Sequence, residues 1–408
     1  MKTIYALFFL TFLSACKNKT TPNISMKEDV SVLASDAYEG RETATKGEHE
    51  AAKYIETRFK NLGLQPKGTN GFYQTFSFKP KKDPHSEVEF TTTKTDSSKT
   101  GTNLIGFIDN KAENTIVIGA HYDHLGFGGE NSLYRGEKKE IHNGADDNAS
   151  GVAVMLNLIT KLKSTNTNNN YLFMAFSGEE EGLLGSNYFV KHPTLDLKKV
   201  NYMINMDMVG RLKPDSTLAV YGIGTSPRFK QTLEATNTGF KLIENESGVG
   251  PSDHTSFYLN DIPVLHFFTG QHEDYHKPSD DADKLNYEGM EAIANYIFDV
   301  ISDLNNAGKL SFRKTKNESD DAPSFKVTLG VIPDYMFDGK GMRIDGVSED
   351  KPAQKAGLLK GDIVIKLGDS AVTDIYAYMR ALSVFEKGDS TKVVVDRNGK
   401  HVEADLKF

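Results

Sequence analysis

The hydrophobic pattern of the chain predicts short buried strands that alternate with helices. Three short runs are almost continuously apolar: 114–120, 170–177 and 200–205. Three longer segments repeat apolar residues near a period of 3.6: 45–62, 150–162 and 287–304. The first kind of run is typical of strands buried on both faces of a sheet, and the second of amphipathic helices. Between 102 and 303 their order predicts an α/β fold, with a mostly parallel sheet and helices on both faces. Ser150 is the expected N-cap of the second helix, and 72–78 alternates like an edge strand.

Length and composition suit a globular protein with two domains. The chain has 408 residues, of which 38% are hydrophobic and 25% charged, and this is long for a single core. The stretch 306–324 is charged and poor in apolar residues, so we interpret it as a linker between a domain at 30–305 and a second at 325–408. The formal net charge of −8 provides no basic surface, which argues against nucleic acid as a partner.

The N-terminus predicts export. Lys2 precedes an apolar run at 4–13, which is too short to span a bilayer and is typical of a secretory signal. Cys16 is the single cysteine, so no intramolecular disulfide can form. The stretch Leu13-Ser14-Ala15-Cys16 resembles a bacterial lipobox, in which the cysteine is lipidated and becomes the mature N-terminus. That resemblance implies a signal peptide at 1–16, a tether at 17–29 and a lipoprotein anchored to the cell-envelope membrane through Cys16, on the periplasmic or the outer face. The alternative is an ordinary signal peptide whose cleavage site contains a cysteine.

Residues of the types that bind metal ions follow one another along the first domain: His121, Asp147, Glu180, Asp207 and His276. Three of them come just after the three apolar runs, and ligands of open α/β sheets collect beyond the carboxyl ends of the strands. Imidazole nitrogens and carboxylate oxygens are ligands of catalytic zinc. We therefore predict a zinc site at this edge of the sheet, although such a ligand set also accepts cobalt or manganese.

The neighbours of these residues strengthen the prediction. Asp123 follows His121 by two positions, where its carboxylate could accept the second ring N–H and fix the tautomer of a metal-bound histidine. Asp146 and Asp147 crowd the turn before a helix that Ser150 already caps, so they need another reason to be there. A carboxylate has two oxygens and can bind one cation with each, which would supply that reason.

A run of three acids, Glu179 to Glu181, follows the second apolar run. Like charges so close repel one another, and a bound cation would relieve the repulsion. This predicts a division of labour, in which one glutamate binds metal and a neighbour transfers protons; the alternative is a solvated acidic turn. Asp207 is a single charge in an apolar segment, and buried charges are rarely tolerated unless they are paired or bound to metal.

Five segments occur in the order typical of one family: GAHYDH at 119–124, GADDNASG at 144–151, SGEEEGLLGS at 177–186, INMDMVG at 204–210 and YHKPSDD at 275–281. They resemble the motifs of the two-zinc aminopeptidase family that includes secreted bacterial leucyl aminopeptidases and glutamate carboxypeptidases. LASD at 33–36 and EGR at 39–41 also resemble that family, so that the resemblance covers 31–304. It implies the α/β zinc aminopeptidase fold.

The resemblance also implies how two zinc ions would be held in each chain. Asp147, rather than Asp146, would bridge the two ions. His121 and Asp207 would complete one site. Glu180 and His276 would complete the other.

The activity that the resemblance implies is hydrolysis of N-terminal residues from peptides by a water that bridges the metals. Glu179 would act as the general base and acid, and we assign it to catalysis together with Asp123. Some members carry a tyrosine just before Ser-Asp-His that helps hold the oxyanion, but here the residues before Ser252 are Gly248 to Pro251, without a tyrosine. The oxyanion donor is therefore unassigned, and carboxypeptidase or dipeptidase action stays open. His254 is either a pocket residue or a structural histidine.

The C-terminal segment resembles a bacterial PDZ domain over 325–408. The resemblance rests on GKGMRI at 339–344, KPAQKAGL at 351–358 and GDIV at 361–364. PDZ domains bind an extended peptide beside a strand and often hold its terminal carboxylate with backbone amides. We place that peptide or protein ligand at Gly341 to Ile344. We expect the PDZ domain to regulate the enzyme or to deliver substrates to it; the alternative is that this domain is a rigid spacer.

Two other functions stay open on the sequence. A glutaminyl cyclase of the same fold would use similar ligands around one zinc, but such cyclases tend to build their pocket from tryptophans, and this chain has none. A non-catalytic binding lipoprotein whose PDZ domain is the working part would be expected to have lost ligands, and this chain keeps all five and Glu179.

Overall fold

The structure is a computed structural model that describes residues 24–80, 89–92, 95, 97–129, 131–315, 326–337, 339–348 and 350–408. The predicted signal peptide with Cys16, most of the predicted tether and the segment 316–325 lie outside these residues. Within the described part of the chain, no helix is both long enough and apolar enough to cross a membrane.

The secondary structure follows the predicted order. The helices are α1 (Met26–Leu33), α2 (Lys46–Asn61), α3 (Gly151–Leu162), α4 (Leu184–Lys191), α5 (Phe229–Thr236), α6 (His254–Tyr258), α7 (Tyr287–Leu304), α8 (Pro352–Lys355) and α9 (Ile375–Leu382). The strands of the first domain are β1 (Gln65–Pro66), β2 (Tyr73–Lys79), β3 (Glu89–Phe90), β4 (Lys99–Ile108), β5 (Thr115–His121), β6 (Asn170–Phe176), β7 (Val200–Met206), β8 (Thr217–Tyr221), β9 (Lys241–Asn245) and β10 (Val264–Phe268). The strands of the second are β11 (Val331–Pro333), β12 (Met342–Val347), β13 (Ile363–Leu367), β14 (Ser370–Ala371), β15 (Ser390–Arg397) and β16 (Lys400–Lys407). The three predicted buried strands and the three predicted helices are confirmed.

The first domain is built on a sheet with the order β3-β2-β4-β6-β5-β7-β10-β8-β9, and β1 pairs with β4. The four central strands β6, β5, β7 and β10 run parallel, as does the pair β8 and β9. The α/β class is confirmed, but the sheet is mixed rather than mostly parallel, because β4 pairs antiparallel with β6 and β8 pairs antiparallel with β10. β2 is also not at the edge, since the short β3 pairs with its end.

Helices cover both faces of this sheet because successive side chains of a strand point to opposite faces. On β5, Ile116 and Ile118 pack in the larger core with residues of α1, α2, α3 and α7. Val117 belongs to a separate cluster on the other face, with Phe189 of α4 and Phe257 of α6. All seven residues of β5, β6 and β7 are buried, which explains their continuous apolar runs.

Two boundaries differ from the sequence prediction. The residues 26–29, assigned above to a tether, form the first turn of α1, which Ser25 caps through a capping box with Glu28. Val30 and Leu33 of α1 are fully buried, so the domain begins before residue 30. In the predicted linker, Leu310 is buried and its N–H donates to Asn201 Oδ1 at 2.7 Å. The first part of that segment therefore packs on the α/β domain.

Ser150 stands at the N-cap position of α3, but its side chain does not cap the helix. Its hydroxyl donates to the carbonyl oxygen of Asp146 at 2.7 Å and accepts from Val209 N at 3.1 Å. The cap is Asn148, whose Oδ1 accepts from Gly151 N at 2.9 Å. The two aspartates therefore share this turn with a capping asparagine rather than with a capping serine.

The C-terminal domain is an antiparallel sheet with the order β11-β12-β13-β15-β16. The prediction that a peptide pairs with the strand at Gly341 to Ile344 is wrong, because this strand, β12, already lies between β11 and β13. Its backbone groups are already used: Gly341 N donates to Thr373 O, and Ile344 N donates to Asp362 O, each at 2.8 Å. In the part of this sheet that the structure describes, β11 is the edge strand next to β12.

The two domains are in direct contact. Met336, just after β11, is buried in a cluster with Met208 and Phe268 of the α/β domain. Tyr221 donates its hydroxyl to the carbonyl oxygen of Tyr335 at 2.6 Å. This contact holds β11 near the carboxyl edge of the large sheet.

Candidate metal centre

The predicted ligands converge because β5, β6 and β7 are parallel and in register. His121 is the last residue of β5 and pairs with Phe176, the last residue of β6. Asp207 follows the last residue of β7, and its N–H donates to Phe267 O of β10 at 3.2 Å. The turns that carry Asp147 and Glu180 lie above the same edge.

The first cluster consists of His121, Asp147 and Asp207, whose ligand atoms lie within 4.8 Å of one another. His121 Nε2 lies 3.2 Å from Asp147 Oδ1 and 3.3 Å from Asp207 Oδ1. The second cluster uses the other oxygen of Asp147. His276 Nε2 lies 3.3 Å from Asp147 Oδ2 and 3.3 Å from Glu180 Oε2. Asp147 thus faces one imidazole with each carboxylate oxygen.

These spacings fit zinc. Two ligand atoms about 2.0–2.1 Å from one tetrahedral zinc ion lie about 3.3 Å apart. Each of the four distances around His121 and His276 is 3.2 or 3.3 Å. Four carboxylates lie together at this edge of the sheet: Asp147, Glu179, Glu180 and Asp207. No described lysine is paired with them, so divalent cations would also balance their charge.

His124, which the sequence analysis did not propose as a ligand, lies beside the second cluster. It forms a possible ligand group with Asp147 and Glu180, and its Nδ1 is 2.8 Å from Glu180 Oε1 and 3.8 Å from Asp147 Oδ2. Despite the short distance to Glu180, neither ring nitrogen of His124 makes a hydrogen bond of acceptable geometry in the described structure, and neither does Glu180 Oε1. These three buried polar atoms without partners next to the cluster fit a bound cation. The sequence signal was a second histidine three positions after His121.

Asp123 is close to His121 but does not contact it in the expected way. His121 Nδ1 is 3.1 Å from the backbone oxygen of Asp123 and 3.7 Å from its carboxylate, so the backbone oxygen is the hydrogen-bond partner. The carboxylate instead accepts from Thr43 Oγ1 at 2.9 Å and from Glu179 N at 3.2 Å. Asp123 therefore positions the turn that carries Glu179.

Two further residues that sequence reasoning left without a role shape the centre. Asp280 Oδ2 accepts from the backbone N–H of Asp146 at 2.9 Å and of Asp147 at 3.1 Å, which fixes the turn that carries Asp147. Arg41 is fully buried, and its guanidinium donates to the carbonyl oxygens of Tyr122 and Gly144 at 2.6 and 2.9 Å. Both residues lie in segments that resemble the family, and their position there was the available signal.

Glu179 differs from Glu180 in its electrostatic environment. Its Oε2 is 4.0 Å from His121 Nε2, beyond hydrogen-bond distance. Burial raises the pKa of Glu179 well above its usual value, and the charge of His121 opposes this only in part. Burial also tends to raise the pKa of Glu180, but His276 and His124 lower it to about 2. One glutamate is thus held as an anion beside imidazoles, while its neighbour favours a proton.

A cavity of about 820 Å³ opens above both clusters. His266 of β10 lines it, although the sequence analysis did not single this residue out. Its Nδ1 lies 3.2 Å from the Nδ2 of Asn205, an amide donor, so the ring carries its hydrogen on Nε2. Burial lowers the pKa of His266 to about 4, so the ring is neutral. His254 stacks on the same ring at 4.4 Å, is fully buried and does not line this cavity.

The other histidines near the site have structural partners. His142 Nε2 lies 2.7 Å from Ser132 Oγ, and His272 Nε2 lies 3.1 Å from Asp146 Oδ2. Asp146 also accepts from Gly210 N at 2.6 Å, so its carboxylate ties the turn to the end of β7 rather than facing the clusters.

Comparison with known proteins agrees with this geometry. The model of peptidase family M28 matches residues 103–301, and the PDZ domain model matches residues 310–408. A probable leucine aminopeptidase of Trichophyton verrucosum is 31% identical over 173 residues, which are 40% of this chain and 44% of that protein. The chain thus spans about half the length of the curated relatives it matches.

Solved structures share the fold. A zinc aminopeptidase from Bacillus subtilis superposes with a TM-score of 0.54 at 18% identity, over 70% of this chain and 95% of that one. A glutaminyl cyclase from Porphyromonas gingivalis gives a TM-score of 0.53 at 17% identity, over 68% of this chain and 97% of that one. By the family models, the chain carries a peptidase family M28 region at 103–301 followed by a PDZ domain region at 310–408.

Proposed function

We propose that this protein is a zinc-dependent exopeptidase that releases N-terminal residues from peptides, with two zinc ions per chain. The observation that carries the proposal is the position of Asp147 between two imidazoles, with both spacings equal to those of ligands on a tetrahedral zinc ion. His121 and Asp207 would hold one ion. Glu180 and His276 would hold the other, with His124 beside them.

A pair of bound zinc ions would activate a water for attack and stabilise the opposing oxygen in the transition state. The protein must then move a proton from the nucleophile to the leaving amine. Glu179 lies at the clusters without sharing the short imidazole contacts of Glu180, and burial favours its protonated form. Glu179 therefore takes up the proton and delivers it to the amine, and Asp123 holds the backbone of the turn that carries Glu179.

Purified protein that begins after the signal peptide tests this proposal. It would be loaded with zinc and incubated with peptides whose amino terminus is either free or acetylated. Release of N-terminal residues from the free-amine peptides alone, abolished by chelator and restored by zinc, is the expected result. Release of C-terminal residues from acetylated peptides would instead establish a carboxypeptidase.

The fold likeness to a glutaminyl cyclase gives the second candidate, which the same assay can distinguish. A peptide that begins with glutamine would yield pyroglutamate without loss of a residue if the protein were a cyclase. The absence of tryptophan from the sequence favours the peptidase.

We also propose that the protein is exported and anchored through a lipidated Cys16. The support is the apolar run followed by Leu-Ser-Ala-Cys, in which the single cysteine of the chain occupies the lipidation position. Metabolic labelling with a radioactive fatty acid in a bacterial host should label the protein, and Cys16→Ser should abolish labelling and release the protein from the membrane fraction. Equal labelling of both forms would contradict the proposal.

A further inference from the structure

The PDZ domain forms one wall of the cavity that holds the metal centre. Residues of both domains line this cavity, and those of the PDZ domain include Thr328, Gly330, Ile332, Ser348 and Lys351. The buried contact of Met336 with the α/β domain fixes this wall in place. The cavity therefore connects the metal clusters with β11 and the loop before it.

Two features make this wall suitable for a peptide. β11 is the edge strand of its described sheet, and an edge strand presents backbone groups to which an extended peptide can bond. The preceding loop approaches Lys351 closely: Gly330 has φ +77°, and a Cβ on it would lie 2.1 Å from Cβ of Lys351. Only glycine fits there, and the base of the exposed Lys351 side chain lies against the loop.

The charges of the two walls are opposite. The wall formed by the α/β domain carries the carboxylates of Asp147, Glu179, Glu180 and Asp207. The PDZ wall carries Lys351, and Arg135 adds a second cation on the rim of the same cavity. Arg135 is held by hydrogen bonds to the backbone oxygens of Ser132 and Tyr134, whereas Lys351 forms no ion pair with any residue that the structure describes. An anion that enters the cavity would therefore be attracted to the Lys351 end.

We propose that the PDZ wall is a subsite for the C-terminal carboxylate of short peptide substrates, with Lys351 as its cation, while the N-terminal residue of the same peptide lies at the metal centre. This inference rests on the proposed exopeptidase function and names its substrate class. It gives the PDZ domain a role in selecting substrates by length, instead of recruiting a separate partner protein.

The size of the cavity sets the length. A space of about 820 Å³ has a mean width of about 10 Å, and an extended chain covers about 3.3–3.6 Å per residue, so about three residues span that width. Tripeptides with a free carboxylate should therefore be the preferred substrates. When a longer peptide has its N-terminal residue at the metal centre, its C-terminus lies outside the cavity and beyond Lys351.

The kinetic test compares a tripeptide, its C-terminal amide and a hexapeptide with the same N-terminal sequence. The zinc-loaded full chain should cleave the free tripeptide with a kcat/KM about fivefold above that of the amide, in the range of an exposed charge pair. Lys351→Ala should remove this preference by raising KM for the acid while kcat and the amide values stay unchanged. Lys355→Ala is the matched control, because Lys355 is an exposed lysine on α8 outside the cavity. Equal rates for acid and amide in the unmodified protein, or equal effects of the two substitutions, would overturn the subsite.

A binding measurement separates this inference from the proposed activity. In the Glu179→Gln protein, where turnover is slowed, calorimetric titration should show tighter binding of the tripeptide acid than of its amide, and the difference should vanish when Lys351→Ala is added. If no peptide is cleaved by the zinc-loaded protein yet this difference is found, the subsite stands and the exopeptidase function fails. If peptides are cleaved and the difference is absent, the function stands and the subsite fails.

Discussion

The carboxylate of Asp147 contacts two imidazoles from distant segments of the domain, His121 through Oδ1 at 3.2 Å and His276 through Oδ2 at 3.3 Å. The two histidines are brought together by this one side chain, whose turn is fixed by Asp280. A single carboxylate that faces two clusters makes the two metal positions dependent on each other.

Replacement of Asp147 by Ala should therefore remove both metals, because each position loses one of its carboxylate oxygens. Asp207→Asn should remove zinc from the first position alone, since Asp207 contacts His121 and belongs to that cluster only. Elemental analysis after dialysis against a weak chelator measures both variants. Retention of about one zinc per chain by Asp147→Ala would show that its carboxylate does not bridge.

Glu179→Gln should lower kcat by about 10²–10⁴, the usual contribution of general acid–base catalysis, while zinc content stays at the unmodified level. The reason is that Glu179 lies 4.0 Å from His121 Nε2, outside the 3.2–3.3 Å spacing of the ligand atoms. Glu181→Gln is the matched control, because Glu181 belongs to the same acidic run but does not line the cavity. Loss of zinc from the Glu179 variant would overturn the assignment of the two glutamates.

The two histidines beside the second cluster should differ in their effect on zinc. His276 Nε2 has the tetrahedral spacing to both Asp147 and Glu180. His124 Nδ1, in contrast, is 2.8 Å from Glu180 and 3.8 Å from Asp147. His276→Ala should therefore weaken zinc binding at this position by about 10-fold or more, and His124→Ala by less. Competition with a fluorescent zinc chelator gives the two affinities. A larger effect at His124 would make that residue the ligand.

Stability should fall as pH rises from about 4.5 to 7 because of Glu48. Burial is the main cause that raises the pKa of this carboxyl to about 7 in the folded chain, although Ser177 donates to it at 2.5 Å. The folded state then holds a proton that the unfolded state has already lost, so ionisation of Glu48 costs folding about 3 kcal/mol over this range. In Glu48→Gln this part of the slope should disappear.

Urea unfolding of the chelator-treated protein between pH 4.5 and 8 measures the effect as the difference between the two proteins. Glu50→Gln, on the exposed side of the same helix, should leave the slope unchanged. An identical pH dependence of the unmodified protein and the Glu48 variant would show that this carboxyl ionises at its ordinary pKa.

The sequence determined the strands and the order of the acidic and imidazole residues after them. β5, β6 and β7 are buried on both faces, which makes their sequences almost continuously apolar. Because the three strands are parallel, their carboxyl ends lie at one edge of the sheet. The five predicted ligands meet there for this reason. Local pattern also placed α2 and α7 within a residue, because each has one apolar face and a capping side chain.

Only the tertiary structure decided what depends on contacts between distant segments. It placed His124 beside the second cluster, turned the carboxylate of Asp123 toward Glu179 instead of His121, and made Asn148 rather than Ser150 the cap. The position of a PDZ edge strand is likewise set by strand pairing, which places β11 rather than β12 at the edge of the described sheet. The shared cavity could not be read from the sequence at all, since it arises where two separately patterned domains pack against each other and neither pattern encodes their relative orientation.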